Sequence, residues 1–381
     1  MPRLREQEKR RSRAGKGSSQ PPLTPDELSL RDNSPAEKST PDELVERLRR
    51  RDLYLTVGSG TELDASSLLE RLDYEGAGEV WVVKAPEETI QGLRGREANR
   101  ARRPSLDELP GSEAPAESFR PGWADEVYHP KLSVGRDFPL VQRANGRIVE
   151  VYRGAQGSER RVYYPSGYPW QCIGMVFAWD DASVTGYSAR ASGVLVGERI
   201  VLTAGHMVPW ESSSWKMLFV PGYYDGQSVL GPGASSWVSD AHGWNADGVA
   251  AHDTAVLRLE TPLGGWLGHL GTRTFHDGFT GRGYWTLAGY STAVAGGARP
   301  SFQPGVAVHG HHAEGEAMEL EHSGGAASGD SGGPLFGFWD EGPYVIGTTS
   351  GGETIGSEEV HIAAGGNELV DLVTWAREAW Q

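Results

Sequence analysis

Three short stretches of the chain carry side chains that could act together as a nucleophile, a base and an orienting acid. "GDSGGP" puts Ser331 in a tight glycine turn, "VLTAGH" puts His206 directly after an apolar run, and "AHDTAVLRL" puts Asp253 directly before an alternating one. A serine hydroxyl is a poor nucleophile near neutral pH. It needs a base within hydrogen-bond reach, and the base needs a group to hold its tautomer. The chain order is His206, Asp253, Ser331, with gaps of 47 and 78 residues. Each group falls at the edge of a strand candidate, where a rigid sheet can aim loop residues at one point. Gly329, just before the nucleophile candidate, suits a backbone amide that must turn inward with no side chain in the way.

The elements that would carry these residues are β-rich. From Gly122 onward, runs such as "CIGMVFAW", "ASGVLVGERIVLTAGH", "WKMLFVPGYY", "DTAVLRL", "GYWTLAGY", "AMELEH" and "YVIGTTSG" alternate with Gly, Pro, Asn and Asp turns. Many close-spaced strands with few helices predict an antiparallel sandwich or barrel over residues 122–381. The end differs: "NELVDLVTWAREAW" has helical spacing after Asn367, a candidate N-cap. The class is therefore all-β with one C-terminal helix.

Upstream, composition divides the chain differently. Residues 1–39 are basic, then polar, and are expected to be a disordered tail. Residues 40–95 read as a small α/β module: a helix "PDELVERLRRRD", then strands "LYLTVGSG" and "EVWVVKAP" around a second helix "DASSLLERLDYE". Residues 96–121 are polar and Pro-rich and read as a linker. "TPDEL" occurs at Thr24–Leu28 and again at Thr40–Leu44. Each copy has Thr as N-cap, Pro at the first helical position and acids near the positive end of the dipole, which is a helix start.

"LTAGH", "HDTAVLRL" and "GDSGGP", in this order and at this spacing, resemble the three catalytic boxes of the trypsin-like (chymotrypsin-fold) serine proteases. The resemblance implies two antiparallel β-barrels, the first over about residues 157–262, with the active site between them and no cofactor. It implies Ser331 as nucleophile, His206 as base and then acid, and Asp253 as the orienting carboxylate. The amides of Gly329 and Ser331 match the oxyanion hole. Ala326 and Thr349 match the side-chain pocket. Ser350 matches the serine that bonds the catalytic aspartate, and Gly351 and Gly352 match the edge that pairs with substrate backbone.

Over residues 157–381 the chain also resembles the bacterial glutamyl endopeptidase branch, through "GSERRVYYPSGYPWQCIGMVF" and "RLETPLGGWLG". It departs from that branch twice. Thr349 stands where the branch has a histidine for a substrate glutamate, and this predicts a preference for a small or medium uncharged residue. Asp330 stands where the branch has Asn, and a buried carboxylate needs a cation. That cation could be an amine freed by cleavage near Glu150–Val151, or an arginine, or a hydrogen-bond network could take its place. The alternating flanks of "RIVEVYRGAQGSERRVYYP" favour an uncleaved hairpin.

Composition limits the other classes. Formal net charge is −15, with −4 in residues 1–130 and −11 in 131–381, which argues against nucleic acid as a partner. Cys172 is the only cysteine and excludes an intramolecular disulfide. The N-terminus has no apolar h-region, so a cytoplasmic location is favoured over secretion. No apolar window is long enough for a membrane helix. His309, His311, His312 and His322, among Glu314, Glu316, Glu319 and Glu321, have metal-ligand chemistry, but "AMELEH" reads better as a strand with an acidic face, so no metal site is assigned. The expected partner is a peptide or protein substrate, with residues 40–95 as a surface for a further protein. The alternative is a catalytically silent protease-fold scaffold.

Overall fold

The computed structural model describes residues 20–31, 40–50, 52–58, 73–75, 80–86, 100–102, 104, 108–111, 114–129, 142–144, 147–149, 151–153 and 159–380, except 232, 246–248 and 356–357. Its centre is a closed six-strand antiparallel barrel. The strands run in the order Lys216–Pro221, Ile173–Trp179, Ala189–Gly197, Ile200–Thr203, Ala255–Leu259 and Ser236–Gly243. Pairing of Leu218 with Trp237 closes the ring. Val176, Leu195, Val201, Met217, Phe219 and Leu257 share one face of these strands and are fully buried. Each such side chain stabilises the fold by about 1.5–3 kcal/mol relative to exposure.

The second half is a ten-strand sheet, also antiparallel apart from one short pairing. Its path runs from Val308–Glu314 through Ala317–His322, Glu358–Gly366, Gly342–Ile355, Pro334–Trp339, Trp285–Gly289 and Ser301–Val306 to Glu159–Val162 and Val151–Arg153. Phe275, Trp285, Leu287, Val308, Leu320 and Ile346 form its own core. Hydrogen bonds thus close one barrel, and the second unit is a sheet continued by the hairpin ahead of the first barrel. That hairpin, Val151–Arg153 against Glu159–Val162, is the one expected for "RIVEVYRGAQGSERRVYYP".

The C-terminal helix, Asn367–Ala379, starts one residue earlier than its candidate cap implies. Gly366, at φ +91°, is the capping position and Asn367 is already helical. The helix buries Leu369, Leu372, Val373 and Ala376 completely. Arg377 then donates to the Val196 carbonyl of the first barrel at 2.6 Å. A helix that begins on the second sheet is therefore locked to the first barrel.

The N-terminal part is more attached than its composition implies. Pro25–Leu30 is a helix whose Thr24 and Glu27 form a reciprocal capping box. Leu23 and Leu28 join the main core, and the Leu23 amide donates to the Phe338 carbonyl at 2.7 Å. So residues 20–31, inside the expected tail, are docked by a few leucines that polarity alone outweighs. The second "TPDEL" copy opens the helix Asp42–Arg50, which buries Leu44 and Leu48. In the 40–95 module, Asp52–Gly58, Val80–Pro86 and Asp73–Glu75 form a three-strand antiparallel sheet. Asp73–Glu75, read as the end of a helix, is strand, and the rest of that expected helix lies outside the described residues.

The stretch read as a linker, 96–121, also packs. Arg100–Arg102 adds a parallel strand to Ser236–Gly243. Ala116 bridges Thr272 and Phe119 bridges His269. Backbone pairing and buried Ala116 hold it where Pro-rich composition suggested freedom. No helix among the described residues is long and apolar enough to cross a membrane.

Four histidines in this frame are almost closed to water. Burial lowers the pKa of His129 and His242 to about 4, and that of His269 and His322 to about 3. They stay neutral in the fold but take up protons near the ordinary value once unfolded. The unfolded chain therefore binds more protons below about pH 6.5, and stability falls from there until the pH reaches about 3–4. The urea midpoint of the protein is expected to be lower at pH 5 than at pH 7.5, and His269→Phe should narrow the gap. Equal midpoints at the two pH values would sink the assignment.

Candidate active site

The strand Ile200–Thr203 ends in a short 3-10 turn, Gly205–Met207, that presents His206. A β-carbon at 205 would overlap the Trp244 carbonyl oxygen, so glycine is required beside the histidine. Trp210 donates to the Gly205 carbonyl at 2.8 Å and braces the turn. A second 3-10 turn, Ala250–His252, leads into Asp253, whose side chain is only 1% exposed.

Asp253 accepts three hydrogen bonds. Oδ1 takes the His206 backbone amide at 2.8 Å. Oδ2 meets His206 Nδ1 at 2.7 Å and accepts from Ser350 Oγ at 2.6 Å. An ionised carboxylate cannot donate, so His206 carries its proton on Nδ1 and leaves Nε2 free as acceptor. The His206 side chain is 35% exposed, open on that outer edge.

Ser331 reaches the same region through its backbone. Its carbonyl accepts from the Ser192 amide at 2.9 Å, and Gly332 donates to the Thr349 carbonyl at 2.8 Å. Gly332, at φ +74°, packs so tightly on Thr203 and Ala204 that a β-carbon would overlap both. The turn carrying Ser331 therefore sits against the strand end that carries His206.

The neighbouring amides are oriented by their carbonyls. The Ser328–Gly329 peptide is trans, and the Ser328 carbonyl accepts from Thr292 at 2.8 Å. A trans peptide points N–H and C=O in opposite directions, so the Gly329 N–H faces away from Thr292. Likewise the Asp330 carbonyl accepts from Gly333 at 2.7 Å, which turns the Ser331 N–H outward. Among the described residues, neither amide has an acceptor. Two free amides beside a serine can stabilise a developing oxyanion.

The other expected contacts divide. Ser350 bonds Asp253, as the resemblance implies. Gly351 and Gly352 form an exposed strand edge, and Ala326 is half-buried in the facing turn. Thr349 differs from its expected role. Its side chain is buried and its hydroxyl donates to the Gly333 carbonyl at 3.2 Å, so that group is already committed. The histidines weighed as ligands separate: His311 pairs with Asp277 and His312 with Glu321, each at 3.0 Å. Among the described residues no three His, Cys, Asp or Glu side chains gather around one point.

Several partners within the site had no motif. Asp330 is fully buried and pairs with Arg160, whose side chain is 1% exposed. Ser192, fully buried in an apolar strand, donates to the Gly329 carbonyl at 2.7 Å and accepts from the Tyr290 amide at 2.8 Å. His252 lies 2.9 Å from both oxygens of buried Glu368 and ties the aspartate turn to the C-terminal helix. That hydrogen bond raises the His252 pKa, so its contribution is present at low pH and fades as the pH rises through the raised value. A polar residue interrupting an apolar strand was the available signal for Ser192. His361 had no motif around it, and it pairs across adjacent strands with His322, the rings 6.2 Å apart.

The barrel and the second sheet thus meet where the Ser331 turn packs on the strand end that carries His206. The family model described as Trypsin matches residues 178–373, and the chain belongs to the trypsin family of serine endopeptidases. Among solved structures, a Glu endopeptidase in complex with MPD is similar at 19% identity, over 57% of this chain and 96% of its own, with a TM-score of 0.46. The protease Anisep from Arthrobacter nicotinovorans is similar at 19% identity, over 58% and 99%, with a TM-score of 0.40. A thermostable serine protease, AL20, from an extremophilic microorganism is similar at 20% identity, over 55% and 97%, with a TM-score of 0.39. No curated protein matches the chain.

Gly329 offers a direct test of the free amides. It has φ +90°, and a β-carbon would overlap the Tyr290 carbonyl oxygen. Gly329→Ala must rotate the peptide and carry the amide away. Loss of one such donor lowers kcat by about a hundredfold or more. Steady-state hydrolysis of a peptide substrate should show that fall with little change in KM, and unaltered kcat would refute the role.

Proposed function

We propose that this endopeptidase cleaves peptide bonds through Ser331, His206 and Asp253, by way of an acyl-enzyme. The observation that carries this reading is the buried Asp253 carboxylate, bonded at once to His206 Nδ1, the His206 amide and Ser350. His206 Nε2 is left as the base that takes the Ser331 proton while Oγ attacks the scissile carbonyl. The tetrahedral oxyanion rests on the amides of Gly329 and Ser331. Collapse expels the amine, which receives the proton from His206, and leaves an ester on Ser331. Water, activated by the same imidazole, hydrolyses the ester and restores the serine. Substrate backbone adds as a strand along Gly351–Gly352. A silent scaffold has no physical need for this hydrogen-bonded set.

The residue before the scissile bond is proposed to be acidic. Thr349 argued for an uncharged side chain, but its hydroxyl is taken. Behind the Gly351–Gly352 edge stand two histidines that supply donors instead. Gly352, His361 and His322 face each other across one row of the sheet. Glycine at 352 leaves that row open, since a β-carbon there would lie 3.5 Å from His361 Nδ1. His322 Nδ1 accepts from the Gly324 amide at 3.1 Å, so its proton sits on Nε2, which is buried with no acceptor. A buried donor without a partner costs about 1–3 kcal/mol, and a substrate carboxylate in reach of this row would relieve that cost.

Two measurements test these statements. A fluorophosphonate probe should label the protein on Ser331, and Ser331→Ala should abolish both labelling and hydrolysis. Labelling that survives the substitution would remove Ser331 from the mechanism. Cleavage profiling with a peptide library should show Glu or Asp before the cut, and His361→Leu should lower that preference about tenfold, the scale of one lost charged hydrogen bond. A wild-type preference for small uncharged residues, unchanged in His361→Leu, would restore the reading from Thr349.

A further inference from the structure

A backbone segment from ahead of the first barrel ends against the turns that present His206 and Asp253. Arg100–Arg102 runs parallel to Ser236–Gly243, with Arg100 opposite Asp240, Ala101 opposite Ala241 and Arg102 opposite His242. Lys216–Pro221 pairs only with the start of that strand, at Ser236 and Trp237. Arg100–Arg102 takes up the far half of an edge that would present unpaired backbone groups. Ala101 packs on the main core and Pro104 is buried. Arg102 meets both oxygens of Glu108, at 2.6 and 2.7 Å, and so ties the two ends of the connection 102–108 together. All of this precedes residue 178, where the family match begins.

Trp244 joins the segment to the site. Its indole Nε1 donates to the Pro104 carbonyl at 3.2 Å. Its backbone amide donates to the Thr254 carbonyl at 2.9 Å, one residue past Asp253. Its own carbonyl oxygen fills the space that a β-carbon on Gly205 would need, one residue before His206. A single residue therefore touches both turns with its backbone and the upstream segment with its ring. Gly243 makes this approach possible: it has φ +151°, and a β-carbon there would overlap the Thr254 carbonyl oxygen. The strand is held from another side as well, because His242 stacks on Trp375 of the C-terminal helix with ring centroids 3.9 Å apart. With Pro104 in place, the half-buried ring of Trp244 has an orientation that satisfies its N–H. Without that acceptor the ring must turn toward water, about bonds that adjoin the backbone seated on Gly205.

We infer that the strand Arg100–Arg102, with Pro104, is an activating strap, and that Trp244 is the positioning residue through which it seats His206 and Asp253. Turnover then depends on a segment outside the two units that meet at the site, and any event that lifts the strap slows catalysis without touching the substrate edge. This rests on the proposed mechanism through Ser331, His206 and Asp253 and goes beyond it. Trp244 touches no reacting atom.

The test uses the full chain. Ala101→Pro removes a backbone donor in the middle of the strap's pairing. Trp244→Phe keeps an aromatic ring and removes the indole N–H. Turnover is referred to sites counted by fluorophosphonate labelling carried to completion, so that unfolded protein does not enter kcat. Each variant should lower kcat about tenfold with little change in KM, the scale of one lost hydrogen bond. The double variant should also fall about tenfold, rather than about a hundredfold, because both substitutions break the same link. The acid limb of the kcat/KM profile, set by protonation of His206, should move to lower pH in both variants, since a carboxylate held less closely stabilises the imidazolium less. A merely structural role would lower the urea midpoint and leave kcat per site and the acid limb unchanged, and that result overturns the inference while leaving Ser331 in place. A fall of about a hundredfold in the double variant overturns it too, because the two effects are then independent. A wild type that takes no label on Ser331 overturns the mechanism and this inference together. If Ala101→Pro does not fold, kcat per site and the acid limb of Trp244→Phe decide the matter.

Discussion

The burial of Asp253 is the constraint around which the two halves of the molecule are arranged. A carboxylate with almost no exposure is tolerable only if donors surround it. One donor pair comes from His206, at the end of a first-barrel strand, and the third is Ser350, on a strand of the second sheet. The aspartate is therefore satisfied only when both units are docked in one relative position. That same position brings the Ser331 turn onto Thr203 and Ala204. The geometry of the candidate site and inter-unit docking share a set of hydrogen bonds, so neither half can shift without leaving a buried charge short of partners.

Hydrophobic burial supplies most of the driving force, but it does not choose this arrangement alone. The barrel's core cluster also takes in Ala288, Phe302, Phe336, Phe338 and Val345 of the second sheet, which has a smaller cluster of its own besides. What joins the two units at the site is polar. Ser192 spans from the first barrel to Gly329 and Tyr290, Arg160 spans from the hairpin to Asp330, and His252 meets Glu368 at the start of the C-terminal helix. Apolar contacts of roughly the right size can slide, whereas a buried hydrogen bond lost costs its full desolvation. The polar seam therefore fixes the register of the two units where they meet at the site. It also explains why glycines stand at 205, 329 and 332, where chain segments approach too closely for any side chain.

Much of the site was legible because its chemistry forces particular residues into short strings. A serine turn that needs free amides is glycine-rich, and a histidine braced against a carbonyl follows a glycine. An aspartate that opens a buried strand precedes an alternating run. Strand candidates were readable because branched and aromatic residues recur between turn formers. The C-terminal helix was readable from the spacing of its leucines and valines. The attachment of residues 20–31, 100–102 and 114–129 was not, because a polar, Pro-rich segment needs only a few leucines, two alanines, a tyrosine and backbone pairing to dock. Composition averages such contacts away.

The sequence by itself determined the class: an all-β chain with a histidine, an aspartate and a serine at strand edges in a particular order. It did so because local conformation and reactive chemistry both act over a few residues. The tertiary structure alone decided the partners. Arg160 lies 170 positions from Asp330, Ser192 lies 137 from Gly329, and His252 lies 116 from Glu368. Nothing in a local window distinguishes these residues from any other arginine, serine or histidine. Their roles arise because a buried polar group must be satisfied by whatever the fold brings within reach, and that neighbour exists only once the chain has closed on itself.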